Sequence, residues 1–234
     1  MIELKNITFA YNNGKTVLSN LNFYVERRSI VCLLGSSGSG KTSILRLIAG
    51  LEVPLQGQIL IDNQLVSNNK KILVPPHKRN ISYIFQDLAL WPHMTVFQNL
   101  AFVLKAKKVA DYETKVWQML EFLAIENLAT KYPHQLSGGQ QQLVAIGRAL
   151  VVRPKILLMD EPLANLDLRL RKKILDLVKN LRQEFGLTVI YVTHDYREAF
   201  YIGDKIALLE QGRITFYDEP KKLADLKSDY FVGL

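Results

Sequence analysis

The chain has 234 residues, 48% of them hydrophobic, and a formal net charge of +8. This length suits one large domain, or a domain carrying a subdomain, and the composition excludes disordered and collagen-like chains. The charge admits nucleic acid, an anionic membrane surface or a nucleotide as partner. The basic residues are scattered, however, with only short clusters at Lys70–Lys71, Lys105 to Lys108 and Arg169 to Lys173, so no nucleic-acid partner is expected.

The single cysteine, Cys32, cannot form an internal disulfide, which fits a reducing compartment. Met1 leads directly into a strand-like segment, so no secretory signal is expected. No apolar run approaches the roughly 18 residues of a membrane span.

In chain order, Ile2 to Phe9 and Val17 to Val25 alternate loosely and flank the turn Asn12-Asn13-Gly14, which predicts a small N-terminal antiparallel sheet. A short apolar run from Ile30 then ends at Gly35, and a helix is predicted over Ser43 to Ala49, stopped by Gly50. Gly57 to Ile61 is a strand, Asp62-Asn63 a turn, and Ser67 to Asn80, polar and basic with Pro75-Pro76, reads as a loop. Ile81 to Phe85 is a short strand ending at Gln86. From Thr95 to Ala129 the apolar period changes to that of a helix, with Phe97, Leu100, Ala101 and Leu104 on one face and Val116, Met119, Leu120 and Leu123 on another. This region is read as an inserted helical subdomain, about residues 87–152, within a single domain over 1–234.

A helix is predicted over Gln141 to Val151, and Ile156 to Met159 has the doubly apolar character of a central parallel strand. Arg169 to Phe185 reads as a helix, Thr188 to Val192 as a second buried strand, and Glu198 to Ile202 as a short helix. Ile206 to Tyr217 reads as a hairpin, and Glu219 to Tyr230 as a polar helix. Repeated βα alternation implies a mainly parallel sheet, with ligands outside the carboxyl ends of its strands.

Gly35, Gly38, Gly40, Lys41 and Thr42 form the pattern Gly-x-x-x-x-Gly-Lys-Thr between a strand and a helix. Glycines let backbone N–H groups turn inward around a phosphate, and the helix N-terminus adds positive potential. Lys41 is expected at the β- and γ-phosphates of a nucleotide and Thr42 at Mg2+. Asp160, ending its apolar strand, is expected to hold the same Mg2+, usually through water. Glu161 beside it is positioned to orient or deprotonate a water aimed at the γ-phosphate. His194 ends another apolar strand, where it can hold that water and Glu161 in register, and Gln86 can reach metal or water.

At these residues the chain resembles the nucleotide-binding subunit of an ATP-binding-cassette transporter, over essentially its whole length. The resemblance implies an α/β P-loop NTPase core with a mainly parallel sheet, an N-terminal antiparallel β subdomain and an inserted helical subdomain. It implies an ATPase using ATP and Mg2+, with Gly35, Ser36, Ser37, Gly38, Ser39, Gly40, Lys41, Thr42 and Ser43 around the phosphates and Tyr11 stacked on adenine. The family signature is matched at Leu136, Ser137, Gly138, Gly139 and Gln140, its aspartate loop at Ala164 to Asp167, its glutamine loop at Gln86 and its switch histidine at His194. Glu161 matches the catalytic glutamate.

The resemblance further implies a head-to-tail homodimer with two ATP molecules between the copies, the phosphate loop of one facing Ser137, Gly138 and Gly139 of the other. The implied partners are integral membrane permease subunits, which Gln86 to Leu100 would contact, and an extracytoplasmic solute-binding protein. The implied location is peripheral, on the cytoplasmic face of the inner membrane. The segments Phe85-Gln86-Asp87 and Trp91 to Val96 resemble importers of sugars, polyamines or ferric iron, with a lean toward ferric iron. The alternatives are a soluble cassette ATPase acting on a nucleic-acid, ribosomal or assembly complex, and an exporter subunit. Such importers often continue into a C-terminal regulatory barrel, expected to begin near Phe231 to Leu234, where this sequence stops. Ala164 stands where the family commonly has serine and Leu143 where it commonly has arginine. Neither departure removes a group required for hydrolysis.

Overall fold

Two β-sheets share one helix between them. In the computed structural model, which describes residues 1–11, 14–163 and 166–226, the first sheet contains β1 (Ile2–Ala10), β2 (Thr16–Val25), β4 (Gln56–Ile61), β5 (Gln64–Asn68) and β6 (Lys71–Ile72). Their order is β2-β1-β4-β5-β6, antiparallel throughout. The second sheet contains β3 (Ile30–Leu34), β7 (Ile81–Ile84), β8 (Ile156–Asp160), β9 (Thr188–Thr193), β10 (Lys205–Glu210) and β11 (Arg213–Asp218), in the order β11-β10-β3-β9-β8-β7. It is parallel except for β11, which returns antiparallel on β10.

The apolar strands are buried on both faces, and their alternation divides the core. Val31 and Leu33 of β3 face the small sheet, across α1 (Lys41–Ala49) with Ile44, Leu45, Leu47 and Ile48. Ile30, Cys32 and Leu34 face the opposite way. There they share a core with α2 (Val96–Ala106), α3 (Tyr112–Phe122), α4 (Gly138–Leu150), α5 (Leu168–Phe185) and α6 (Tyr196–Ile202). The short α7 (Pro220–Leu226) adds Leu223, and the part of the expected C-terminal helix beyond Leu226 lies outside the described residues, as does the turn at Asn12-Asn13. Among the described residues no helix is long and apolar enough to cross a membrane.

Several boundaries differ from the sequence expectation. The segment from Ser67 to Asn80 is not simply a loop, because β5 runs to Asn68 and β6 pairs with it. Two tight turns produce this, Asp62-Asn63 and Asn69-Lys70, whose four residues all have positive φ. Such turns match the twist of the flanking strands, but Asn-Lys is a weaker written signal than Asn-Gly. Strand β7 closes at Ile84, so Gln86 lies in the turn that follows rather than at the strand end. Helix α4 begins at Gly138, three residues early, because Ser137 and Gln140 form a reciprocal capping box. Helix α6 begins at Tyr196, where Asp195 caps it.

Arg79 holds the two layers together. Its guanidinium is buried and donates to the carbonyl oxygens of Leu47 (3.1 Å), Ile48 (2.8 Å), Val66 (3.1 Å) and Val74 (2.8 Å) and to the Ser67 hydroxyl (2.8 Å). It thus satisfies the Ile48 carbonyl at the end of α1, joins the Gly50 N–H on the Leu47 carbonyl, and ties both to β5. Gly50 completes this end with a left-handed backbone (φ 78°), and a Cβ there would stand 2.5 Å from the Arg79 Cζ. Burial pushes the guanidinium pKa down to about 10. Arg79→Ala is expected to destabilise the chain by about 3 kcal/mol or more, because the Ile48 and Val74 carbonyls and the Ser67 hydroxyl lose their guanidinium donor and each buried acceptor left without a donor costs about 1–3 kcal/mol. Arg79→Lys should recover only part of this, since an ammonium cannot reproduce the fork. Urea unfolding checks both, as a drop in midpoint at constant m-value.

Candidate nucleotide-binding site

The parallel register converts distant sequence positions into neighbours. Leu34 of β3 pairs with Thr193 of β9, Asp160 of β8 with Val192, and Met159 with Ile84 of β7. The residues just beyond these ends, Gly35, Glu161, His194 and the turn containing Gln86, therefore line one edge of the sheet.

Ser36, Ser37 and Gly38 form the exposed crest of the glycine loop, while Ser39, Gly40 and Lys41 are buried beneath it. A Cβ on Gly35 would meet the Leu209 carbonyl oxygen at 2.3 Å, so only glycine lets the loop leave β3 this close to β10. Gly40 has φ 108°, and a Cβ there would stand 2.8 Å from Leu18. The Lys41 ammonium donates to the carbonyl oxygens of Gly35 (2.8 Å) and Ser36 (2.9 Å) and lies 3.9 Å from the Glu161 carboxylate. Burial pushes its pKa below the ordinary lysine value, against the opposing pull of Glu161 and Asp160.

Thr42 donates its hydroxyl to Asp160 Oδ1 at 3.0 Å, and Tyr83 donates to Asp160 Oδ2 at 3.0 Å. Burial raises the Asp160 pKa, and these two hydrogen bonds oppose the rise. Glu161 has φ 44°, a left-handed conformation uncommon outside glycine, and its N–H donates to the Val192 carbonyl at 3.1 Å. From this turn its carboxylate meets His194, with Oε2 3.2 Å from Nδ1. The histidine side chain is 61% exposed, whereas that of Glu161 is 20% exposed.

His194 rests on an ordered polar base. Tyr191 and Thr193 both donate to Glu198 Oε2, at 2.9 and 2.8 Å. The Arg171 guanidinium lies 3.7 Å from Glu198 Oε1 and 3.6 Å from Asp195 Oδ2, and its Nε donates to the Leu166 carbonyl at 2.8 Å. Arg171, Thr193, Asp195 and Glu198, with Leu163, Glu161 and His194, line a cavity of about 30 Å³.

The remaining sequence candidates fall into two groups. Tyr11 shares a 3.0 Å hydrogen bond with Ser43 and packs edge-on against Phe9, which places its ring beside the loop. Ser137, Gly138, Gly139, Gln140 and Asp167 make none of the contacts around Lys41 and Asp160, and their observed partners are local. Ser137 and Gln140 cap α4, and Asp167 caps α5 by accepting from the Leu170 N–H at 3.0 Å. Gln86 is exposed. Ala164 and Asn165 lie outside the described residues.

Sequence reasoning missed the residues that shape the segment after Gln86. Buried Asn99 accepts from the Trp91 N–H and donates to the carbonyls of Trp91, Met94 and Thr95. Arg148 donates to the carbonyls of Leu88 and Ala89 and lies over the Trp91 ring at 4.8 Å. Their signal was a polar residue on an otherwise apolar helix face. Beside them runs a groove of about 440 Å³ lined by Tyr83, Phe85, Trp91, Val103 and Arg148 among others.

These residues fit a nucleoside triphosphate and Mg2+. The buried Ser39 hydroxyl has no hydrogen-bond partner, and the crest above it is rich in backbone N–H groups. One carboxylate and one hydroxyl, Asp160 and Thr42, suit a cation that completes its shell with phosphate oxygens and water. Among the described residues there is no group of three His, Cys, Asp or Glu that would hold a resident metal by itself.

A glycine loop joining a parallel strand to a helix, with Asp160 on the same edge two strands away, makes this a P-loop nucleotide-binding cassette. The chain belongs to the ABC transporter family, whose model matches residues 18–164. It is 43% identical to the spermidine/putrescine import ATP-binding protein PotA of Vibrio vulnificus over 235 residues, covering 100% of this chain and 61% of that protein. It is 44% identical to the trehalose/maltose import ATP-binding protein MalK of Thermococcus litoralis, covering 93% of this chain and 59% of that protein. The chain thus spans about three-fifths of the length of these curated relatives. Among solved structures, it superposes on the dimeric ABC transporter cassette MJ0796 with a TM-score of 0.84 and 35% identity, covering 94% of this chain and 99% of that one. For CbiO1 of Clostridium perfringens, part of the ABC transporter complex cbiONQ, the TM-score is 0.87 at 29% identity, with 98% and 92% covered.

The two signature glycines differ in their surroundings. A Cβ on Gly139 would lie 2.0 Å from Leu170 Cδ2, whereas one on exposed Gly138 would meet, among the described residues, Leu166 alone, at 3.5 Å. Gly139→Ala should therefore cost about 1–3 kcal/mol through overpacking of α4 against α5, while Gly138→Ala should leave thermal stability within about 0.5 kcal/mol of the parent. Melting curves of the two variants check this, and equal losses would contradict the packing assignment.

Proposed function

We propose that this chain hydrolyses ATP and, as one of two head-to-tail copies, energises solute import through separate membrane permease subunits. The observation that carries the hydrolytic reading is the Glu161–His194 pair at 3.2 Å, with Glu161 3.9 Å from the phosphate-loop lysine. Glu161 orients and deprotonates the attacking water, and His194 fixes the Glu161 carboxylate and shares that water. Lys41 leaves its two loop carbonyls for the β- and γ-phosphates, and the loop N–H groups and the Ser39 hydroxyl complete the cradle. Mg2+, held by Thr42 and Asp160 with Gln86 as a further ligand, supplies charge neutralisation on the phosphate oxygens. Tyr11 stacks on adenine.

Ser137, Gly138, Gly139 and Gln140 of one copy face the phosphate loop of the other, with Asp167 at the same interface. Exposure of Ser137 and Gly138 at the N-terminus of α4 supports this, because such an end attracts phosphate. The permease docks at the groove beside Trp91, on the peripheral, cytoplasmic side of the inner membrane, and an extracytoplasmic solute-binding protein completes the system. The named import relatives support small organic solutes, polyamines or sugars, more directly than ferric iron.

Glu161→Gln is expected to retain ATP binding, lose at least about a hundredfold in turnover, and run as a dimer in size-exclusion chromatography with ATP. Turnover near the parent rate would remove Glu161 as the base. Tyr11→Ala should weaken binding of a fluorescent ATP analogue about fivefold, since an aromatic stack is worth about 0.5–1.5 kcal/mol. Tyr11→Phe, which loses only the Ser43 hydrogen bond, should stay near the parent value.

A further inference from the structure

Tyr83 belongs to two sites at once. Its ring lines the groove that also contains Phe85, Trp91 and Arg148. It stacks on Phe85 with centroids 4.3 Å apart and planes at 24°. Its hydroxyl donates to Asp160 Oδ2 at 3.0 Å, on the carboxylate that the proposed function assigns to Mg2+. Nothing in the phosphate-loop pattern requires an aromatic on β7, and a smaller residue there would leave this oxygen without its donor.

The geometry points to Tyr83 as the positioning residue for Asp160, itself positioned by Phe85, so that the groove and the metal site are joined through one side chain. An aspartate χ2 torsion is soft, because rotation about an sp3–sp2 bond has no sharp staggered wells. Two hydrogen bonds fix it here, one on each oxygen. A Thr42 hydroxyl that ligated Mg2+ through an oxygen lone pair would keep its proton for Oδ1, so Thr42 and Tyr83 would together hold the carboxylate plane, one donor on each oxygen. Outer-shell partners of this kind typically matter about 10- to 100-fold in metal affinity. The Phe85 stack limits how the tyrosine ring can tilt, and Phe85 lies one residue before Gln86.

This inference rests on Thr42 and Asp160 being the Mg2+ site, so the test reads the metal directly. A fluorescent ATP analogue is titrated onto the 234-residue chain in EDTA and then across a MgCl2 series, giving an Mg2+-free affinity and a half-saturating Mg2+ concentration. Tyr83→Phe is expected to raise that concentration about tenfold, with the Mg2+-free affinity unchanged and a lower melting temperature, since buried Oδ2 loses its donor. Phe85→Leu should raise it less, and the double variant should not exceed Tyr83→Phe alone, because both act through one contact. An unchanged Mg2+ requirement in Tyr83→Phe would overturn the positioning role, and full additivity of the two substitutions would overturn the link to the groove. A parent chain whose nucleotide affinity ignores Mg2+ would instead remove the metal site itself and the proposal with it.

Discussion

The ammonium of Lys41 is the constraint around which this edge of the sheet is built. Desolvating a cation costs several kcal/mol unless partners replace the lost water. Here the replacements are two carbonyl oxygens of the glycine loop and, at longer range, Glu161. The loop must therefore curl over its own lysine, which requires Gly35 to pass close to Leu209 and Gly40 to take a positive φ. An incoming anion exchanges weak carbonyl partners for full negative charge. The loop is held in the shape a phosphate needs before the phosphate arrives, which limits the ordering cost of binding.

The second constraint is strand register. Parallel strands place all their carboxyl ends on one edge, and one-to-one pairing from β7 through β8 and β9 to β3 sets how far each end protrudes. Asp160 is still within its strand and stays aimed at Thr42 and Tyr83. Glu161, one residue on, leaves the strand through a left-handed turn and meets His194 instead. Backbone strain of this kind costs of order 1–3 kcal/mol and persists where the surroundings impose it. Two adjacent carboxylates are thereby separated into different environments, one fully hydrogen-bonded and one paired with an exposed imidazole.

Most of this arrangement was legible in the sequence because loop and strand-end spacing is written in residue type. The structure has Gly35 to Thr42 between a strand and a helix and Asp160-Glu161 at the end of an apolar strand, as expected, and the βα alternation also matches. The beginning of α4 was also written, as Ser137-x-x-Gln140, yet the helix was expected only from Gln141. A helix tolerates glycine where a capping box already holds the first turn. Arg79 was not legible, and Asn99 and Arg148 stood out only as polar residues on apolar helix faces, with no sign of their partners. Each acts on backbone carbonyls of a distant or irregular segment, and carbonyls leave no trace in residue type. Gln86 was placed one step too close to its strand because Phe85 continues the apolar run without continuing the ladder.

The polar base under His194 decides what kind of motion is available to it. Thr193 is fixed to Glu198, Asp195 caps α6 and lies against Arg171, and Arg171 in turn holds the Leu166 carbonyl just before α5. Buried networks of this sort are costly to break partially, since each unpaired group carries its full desolvation penalty. The start of α5, the start of α6 and the backbone of His194 therefore move together or not at all, and only the exposed imidazole is free to change rotamer alone. A displacement of Leu166 would be felt at His194 through Arg171. Displacement at the groove beside Trp91 would reach Asp160 by the separate route of Phe85 and Tyr83. The Glu161–His194 pair and the Asp160 carboxylate thus hang from different parts of the fold and come into register where the strand ends meet.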